Sequence, residues 1–299
     1  MNGHDACIEI VIPVYNEAEQ LAASIETLRA YLLLELPYRF QITIADNAST
    51  DATPASARQL AAGYPEVQLL RLEQKGRGRA LRAAWGASQA DVVSYMDVDL
   101  STGLPAFLPL IAPLVSGQSD LAIGSRLARG AEVTRSPKRE MISRVYNLLI
   151  KLAFFNRFSD AQCGFKAVRT DVIKRMLPLI ENNNWFFDTE MLLLAEHNGL
   201  HIAEVPVRWV EDPGTSVKLR STIAEDLRGL WRMRRTFWQG KGRLPGRRHL
   251  HVVRAGRRPV ISTAPMIDDW VDRQPGTVIL SGAKNLRLMG TKAETLRSE

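Results

Sequence analysis

Cysteine is nearly absent from the chain: 299 residues include two. Cys7 and Cys163 lie far apart, with neither a Cys-x-x-Cys pair nor a histidine-rich neighbourhood. That argues against a disulfide framework and a cysteine-histidine zinc site, and it suits a reducing compartment. Both sit beside apolar residues and are expected to be inert packing groups. Long hydrophobic runs are missing too. No segment reaches the ~20 apolar residues that a membrane-spanning helix needs, and the longest candidate, Leu148 to Phe155, contains Lys151. His4 and Asp5 lead straight into a strand-like run, so no signal peptide is expected. There is no dinucleotide fingerprint, P-loop, internal repeat or nucleic-acid motif.

What is present is enough for a core. Hydrophobic residues make up 45% of the chain, which suffices for one large domain or two small ones. Lys and Arg number 39 against 32 Asp and Glu, a formal charge of +7 that favours anionic partners. Much of the basic excess follows Gly240, where Lys241, Arg243, Arg247, Arg248, Arg254, Arg257 and Arg258 are interrupted by Pro245 and Pro259. Residues 239–299 therefore read as a basic linker and a poorly ordered extension. Residues 1–238 are left as the domain that carries chemistry.

Strand and helix patterns alternate through that domain. Ile8 to Val14 is rich in β-branched residues and predicts a strand, and Leu21, Ile25, Leu28 and Leu32 recur at helical spacing. The same rhythm predicts strands over Phe40 to Ala45, Val67 to Leu72 and Val92 to Met96, with helices over Asp51 to Ala62 and Gly78 to Ser88. Farther on we expect a helix to about Val115, a strand over Asp120 to Gly124 and a basic loop from Arg126 to Arg139. Helices are expected over Met141 to Phe155, Asp171 to Leu179, Trp185 to Asn198 and Thr222 to Trp238, and one strand over His201 to Val210. This alternation predicts an α/β fold with a mostly parallel sheet, whose ligands bind beyond the carboxyl ends of the strands.

Polar residues gather at those ends. Tyr15 and Glu17 follow the first strand, Asp46 and Asn47 close the second, and Asp97 and Asp99 close the fourth. Two carboxylates one residue apart suit a hard divalent cation that can itself hold a diphosphate. Alone, such a pair is equally an ordinary solvated turn. Ser49 or Thr50 is expected to cap the helix that starts near Asp51. Lys75, Arg77, Gly78 and Arg79 open another helix, where backbone amides and cations suit a diphosphate or form a solvated turn. Asp188 and Glu190 stand at a helix start, where carboxylates favour the dipole and cap free amides. His197 and His201 read as packing or surface residues.

Taken together, these motifs carry a resemblance. Val11-Ile12-Pro13-Val14-Tyr15-Asn16-Glu17, Asp46-Asn47-Ala48-Ser49-Thr50-Asp51, Lys75-Gly76-Arg77-Gly78, Asp97-Val98-Asp99 and Gly124-Ser125-Arg126 occur in the order and approximate spacing of family 2 glycosyltransferases with the GT-A fold. Asp160-Ala161-Gln162-Cys163-Gly164-Phe165-Lys166, Trp185-Phe186-Phe187-Asp188-Thr189-Glu190 and Val205-Pro206-Val207-Arg208-Trp209 narrow it. With them the chain resembles the dolichyl-phosphate (polyprenyl-phosphate) glucose and mannose synthases over about Ile8 to Trp238.

The resemblance implies a Rossmann-like, mixed and mostly parallel sheet flanked by helices. It also implies inverting, metal-dependent transfer of glucose or mannose from a nucleotide sugar, UDP-glucose or GDP-mannose, to a polyprenyl phosphate. Pro13, Tyr15, Glu17 and Asp46 match positions that hold the donor's base and ribose, and Lys75, Arg77 and Gly78 are expected at its diphosphate. Asp97 and Asp99 match the ligands of Mg²⁺ or Mn²⁺, and Ser101 stands where some relatives place a glutamine ligand. Arg126 is the first candidate for the acceptor phosphate; Asp99, Arg126 and Asp188 form the expected catalytic set. Lys218, on the donor side, and Arg220, on the acceptor side, are candidates for closing over the phosphates. Met141 to Phe155 matches a region that rests on the membrane, and Thr222 to Trp238 is a second contact candidate, so a peripheral position on the cytoplasmic face is expected. Two alternatives remain open. An enzyme of the same fold with a saccharide or other hydroxyl acceptor would need a base, which Asp188 could supply. A basic module that binds membrane or nucleic acid would need neither donor nor metal, although no nucleic-acid partner is expected.

Overall fold

The structure, a computed structural model, describes residues 5–211 and 219–245, without the side chains of 219–223. The first half alternates as its periodicity predicts: β1 (Cys7–Val14), α1 (Leu21–Glu35), β2 (Arg39–Asn47), α2 (Thr53–Gly63), β3 (Val67–Leu72), α3 (Arg77–Ala87) and β4 (Val92–Met96). Leu21, Ile25, Leu28 and Leu32 form the fully buried stripe of α1. Each buried side chain of that size contributes roughly 1.5–3 kcal/mol. Then follow α4 (Phe107–Val115), β5 (Leu121–Ser125), β6 (Glu132–Thr134), α5 (Pro137–Phe154), β7 (Phe165–Arg169), α6 (Thr170–Met176), α7 (Phe187–His197), β8 (Ile202–Pro206), β9 (Arg208–Val210) and α8 (Leu219–Trp238).

Seven strands form one sheet in the order β3-β2-β1-β4-β7-β5-β8, parallel except for β7, which runs antiparallel to both neighbours. Alternation along each strand divides the core into two layers. Ile8, Ile10 and Ile12 of β1 face α1, α2 and α4, while Val11, Val93 and Tyr95 face α3, α6 and α7.

Three departures from the expected pattern shape the site. β7 has no counterpart among the predicted strands: it is short, and Lys166 and Arg169 break the apolar pattern that would announce a doubly covered strand. Its antiparallel course sets Phe165 beside Met96, so the Asp160–Lys166 segment joins the rim formed by the carboxyl ends of β1, β2 and β4. The single strand expected over His201 to Val210 divides at Val207. β8 pairs with β5 as far as Pro206, and β9 leaves to pair with β6. The loop expected from Arg126 to Arg139 contains β6 and the first turn of α5, which begins at Pro137, where the fixed φ of proline suits a helix start.

The packed chain continues past Trp238. Leu244 is buried, its amide donates to Oδ1 of Asn198 (2.8 Å), and Nδ2 of Asn198 donates to the carbonyl of Gly242 (2.8 Å). His197 stacks on Phe237 with ring centroids 3.9 Å apart, a packing role, while His201 is exposed. Cys163 is fully buried, and burial pushes its thiol up to about 11, in keeping with an inert group; Cys7 is half-buried.

Candidate active site

Three non-glycine residues hold left-handed backbone conformations just beyond neighbouring strand ends: Asn16 (φ 56°), Ala48 (φ 60°) and Leu100 (φ 49°). Such conformations cost on the order of 1–3 kcal/mol each and concentrate where a site is shaped. Cross-loop hydrogen bonds hold the first two loops together. The amide of Asn16 donates to Oγ of Ser49 (2.9 Å), that of Glu17 to Oγ1 of Thr53 (2.8 Å), and that of Thr50 to Oδ1 of Asn16 (2.9 Å). The expected cap of α2 by Ser49 or Thr50 is therefore corrected. Both bind the β1 loop, and Asp51 accepts the amide of Thr53 (2.9 Å).

This arrangement leaves a fully buried carboxylate, Asp46. Oδ1 accepts the amide of Ser49 (3.0 Å), while Oδ2 has no hydrogen bond and lies 3.7 Å from Nε of Arg71. Across the same rim Lys75 donates to the Tyr15 hydroxyl and lies 3.8 Å from the centre of its ring; that hydrogen bond holds the phenol below its ordinary pKa. Pro13 pairs with Ala45 in the ladder beside them, and Glu17 accepts from Gln20. Tyr15, Asp46 and Lys75 thus lie at or just beyond the carboxyl ends of β1, β2 and β3.

At the end of β4, Oδ1 of Asp97 accepts from Nη2 of Arg77 (2.7 Å), whose guanidinium lies 5.0 Å from the centre of the Tyr95 ring and 4.9 Å from that of Trp185. Burial pushes the Asp97 carboxyl up, Arg77 opposes it, and Asp99 and Asp188 add to the rise. Asp99 accepts the amide of Ser101 (2.9 Å), while the Ser101 hydroxyl is buried without a partner. Among the described residues no cluster of three or more His, Cys, Asp or Glu could hold a metal ion. Two carboxylates at a strand end still fit Mg²⁺ or Mn²⁺, which takes one or two protein carboxylates and completes its shell with substrate phosphates and water. Gly78 packs α3 against α7: a Cβ there would lie 2.6 Å from Cβ of Phe187. Helix packing thus accounts for this glycine without a phosphate.

A cleft of about 410 Å³ opens beside the acidic end, lined by Arg77, Arg126, Arg135, Lys138, Arg139, Trp185, Asp188, Trp209 and Asp226 among others. Its arginines are held in place. Arg126 grips Asp160 through Nε (2.8 Å) and Nη2 (2.9 Å), Arg135 pairs with Glu140, and Arg139 pairs with Glu211 (2.6 Å). Burial pushes the Asp160 carboxyl up, but the charge and hydrogen bonds of Arg126 outweigh it and hold it below its ordinary value. The Trp209 ring lies 5.5 Å from the Arg126 guanidinium and 6.0 Å from that of Arg135, a cation-π arrangement that orders both.

Asp188 does not cap α7. Its Oδ1 accepts from the Tyr95 hydroxyl (2.5 Å) and lies 3.6 Å from Nζ of Lys166. Nor does Glu190. It accepts the amides of Glu181 (3.0 Å) and Asn182 (2.9 Å) and pairs with Arg232 of α8 (2.8 Å). Lys218 and the Arg220 side chain lie outside the described residues.

Sequence reasoning missed Tyr95, Asp160, Lys166, Trp209 and Asp226 as site residues. A lysine within a strand-length apolar stretch was the signal available for Lys166. Asp226 gave none, because one acid among the charges of an amphipathic helix looks solvated.

The family model described as glycosyl transferase family 2 matches residues 9–177. The chain belongs to glycosyl transferase family 2. It is 34% identical over 238 residues to glycosyltransferase AglD of Haloferax volcanii, covering 78% of this chain and 37% of that protein. It is 28% identical over 224 residues to dolichyl-phosphate beta-glucosyltransferase ALG5C of Trichomonas vaginalis, covering 71% of this chain and 66% of that one. The chain thus spans about a third of the first relative and just under two thirds of the second. Its fold is that of glucosyl-3-phosphoglycerate synthase from Mycobacterium tuberculosis, solved with Mn²⁺, UDP-glucose and phosphoglyceric acid: TM-score 0.58, 18% identity, covering 77% of this chain and 80% of that one. Family and fold agree with the resemblance drawn from the motifs.

Proposed function

We propose that this family 2 enzyme transfers a hexose, glucose or mannose, from a nucleotide sugar to a polyprenyl phosphate at a membrane surface. The observation that carries the reading is the junction of an acidic strand end with an arginine-lined cleft on the flank of α5, a helix whose Met141, Val145, Leu148, Leu149 and Leu152 are exposed. A phosphate on a hydrocarbon chain calls for both features, cations for its head and an interfacial helix for its tail. The name of the Trichomonas relative, a dolichyl-phosphate beta-glucosyltransferase, supports this class of acceptor. The ligands of the Mycobacterium structure support a nucleoside diphosphate and a divalent ion.

In this reading Pro13, Tyr15, Glu17 and Asp46 hold the base and ribose, Lys75 and Arg77 attend the diphosphate, and Asp97 and Asp99 hold Mg²⁺ or Mn²⁺. When bound, the ion neutralises charge that develops on the departing diphosphate. Arg126, ordered by Asp160 and Trp209, holds the acceptor phosphate together with Arg135 and Lys138. That phosphate oxygen is already anionic at neutral pH, so it attacks the anomeric carbon without a general base. The bond from that carbon to the diphosphate breaks, the nucleoside diphosphate leaves, and the configuration inverts. Catalysis then rests on positioning and charge stabilisation. Lys218 and Arg220 are proposed to approach the phosphates from the segment before and at the start of α8. Among the described residues no helix is long and apolar enough to cross a membrane; the proposed attachment is peripheral, on the cytoplasmic face.

The test is to incubate the purified chain with polyprenyl phosphate, Mn²⁺ and a panel of nucleotide sugars, and to identify the lipid product by mass. One glycosylated lipid phosphate is expected, lost in Asp97→Ala and Asp99→Ala. Full transfer by Asp99→Ala in the presence of a chelator would overturn the metal assignment. Transfer to saccharides alone would overturn the acceptor.

A further inference from the structure

Lys166 occupies a position that the sheet would fill with an apolar side chain. It stands in register with Tyr95 of β4 and Ile123 of β5, and the next row on the same face is Val93, Val168 and Leu121, all buried. Yet the chain places an ammonium group here with no exposed surface. Burying an ion costs several kcal/mol even after relaxation, and a methionine of similar length would satisfy the strand and the core without it. The cost points to work done by the charge.

Its contacts say where. Nζ donates to the carbonyl of Cys163 (2.5 Å) and to the Tyr95 hydroxyl (3.3 Å), and the Tyr95 hydroxyl donates in turn to Oδ1 of Asp188 (2.5 Å), itself 3.6 Å from Nζ. Three cations and three carboxylates meet here, and Arg77, Arg126 and Asp188 among them line the cleft. Arg77 grips Asp97 (2.7 Å) and Arg126 grips Asp160 (2.8 Å), each through a guanidinium, while Asp188 is held through a hydroxyl and a more distant ammonium. The charge of Lys166 also reaches Asp97 and Asp160 and favours their ionised forms. It therefore acts on carboxylates of both the donor side and the acceptor side.

We propose that Lys166 is a positioning residue which, through the Tyr95 hydroxyl, fixes the Asp188 carboxylate on the cleft wall between the acidic end of β4 and the arginines that follow β5. This rests on the transferase reading above and adds to it a residue that touches neither substrate. A purely structural ion pair would alter stability and leave turnover per folded molecule unchanged. A positioning residue lowers kcat, leaves the KM of the nucleotide sugar alone, and loses its effect once Asp188 is gone.

The experiment uses the full chain with Lys166→Met, Lys166→Arg and Tyr95→Phe, the first and last also combined with Asp188→Asn. Hexose transfer and, without acceptor, slow donor hydrolysis are measured on protein shown to be folded by thermal unfolding. Lys166→Met is expected to lower kcat about 30-fold or more with donor KM within about threefold, Lys166→Arg to recover part of the loss, and the double variant to match Asp188→Asn within about threefold. If Lys166→Met does not fold, Tyr95→Phe, which keeps the ring, is expected to show a smaller loss with the same non-additivity. Normal kcat in folded variants, or losses that multiply with Asp188→Asn, would overturn the proposal. Donor hydrolysis that depends on Lys166, without transfer to polyprenyl phosphate, would overturn the acceptor and leave Lys166 in place. A wild-type chain with neither activity would remove both.

Discussion

At Gly164 a lone hydrogen stands where any other side chain would strike the acidic end of β4: a Cβ would fall 1.9 Å from Oδ2 of Asp97 and 2.9 Å from Nη2 of Arg77. Both atoms end flexible side chains, so the fold can absorb an alanine by turning Asp97 away. Gly164→Ala is therefore expected to leave the unfolding midpoint nearly unchanged while weakening Mn²⁺ binding about tenfold or more, measured by calorimetry with nucleoside diphosphate present. Unchanged metal affinity would separate Asp97 from the metal. The residues of this scale divide by how they announce themselves. Asp46, Asp97 and Asp99 stand out in sequence because each ends an apolar strand. Trp209 and Asp160 act on Arg126 from distant segments, and no spacing rule connects them.

Among the elements, α5 and α8 set an apolar face outward. Leu148 and Leu152 lie a turn apart on α5 and are 55% and 64% exposed, and Trp231 of α8 is 67% exposed. Replacing both leucines with glutamate should leave the unfolding midpoint unchanged and strongly reduce sedimentation with vesicles that contain anionic lipid. Equal sedimentation would remove α5 from the membrane contact. α8 is fastened by Arg232, which pairs with the fully buried Glu190 and with Glu181 (3.0 Å). Arg232→Ala strands a buried carboxylate whose other oxygen contacts are backbone amides, and is expected to cost about 3 kcal/mol in denaturant unfolding. The bodies of the helices were legible from periodicity, because α1 and α5 each repeat an apolar residue once per turn, while the starts of α5 at Pro137 and α8 at Leu219 were not. Nor were the roles of the carboxylates at helix starts, since Asp188 binds the distant Tyr95 and Glu190 binds the distant Arg232 as well as the nearby amides of Glu181 and Asn182.

At the scale of the whole molecule, a pH dependence comes from Asp226, which packs beside Tyr146 where α5, α7 and α8 meet the cleft. Burial pushes its carboxyl up to about 7, Glu225 adds to the rise, and a hydrogen bond with Tyr146 opposes it. An unfolded aspartate titrates near ~4, so the folded chain binds this proton more tightly. The contribution is complete below about pH 4 and is lost as pH rises through about 7. Asp226→Asn should therefore flatten the decline of the thermal midpoint between pH 5 and 8, gaining most on the wild type at the alkaline end. A difference between the two that does not vary with pH would show that Asp226 is already ionised in the folded state.

The sequence by itself determined the layered α/β architecture, the four leading strands, and the acidic and basic motifs at their carboxyl ends. Strand and helix periods are local, and a charge that ends an apolar run is visible without knowing its neighbours. Only the tertiary structure decided that β7 runs backwards through the sheet, that β8 and β9 part at Val207, and that Lys166 lies buried among three carboxylates. Those outcomes depend on strand pairing and burial between segments tens of residues apart. No local pattern records which ion a distant chain will meet.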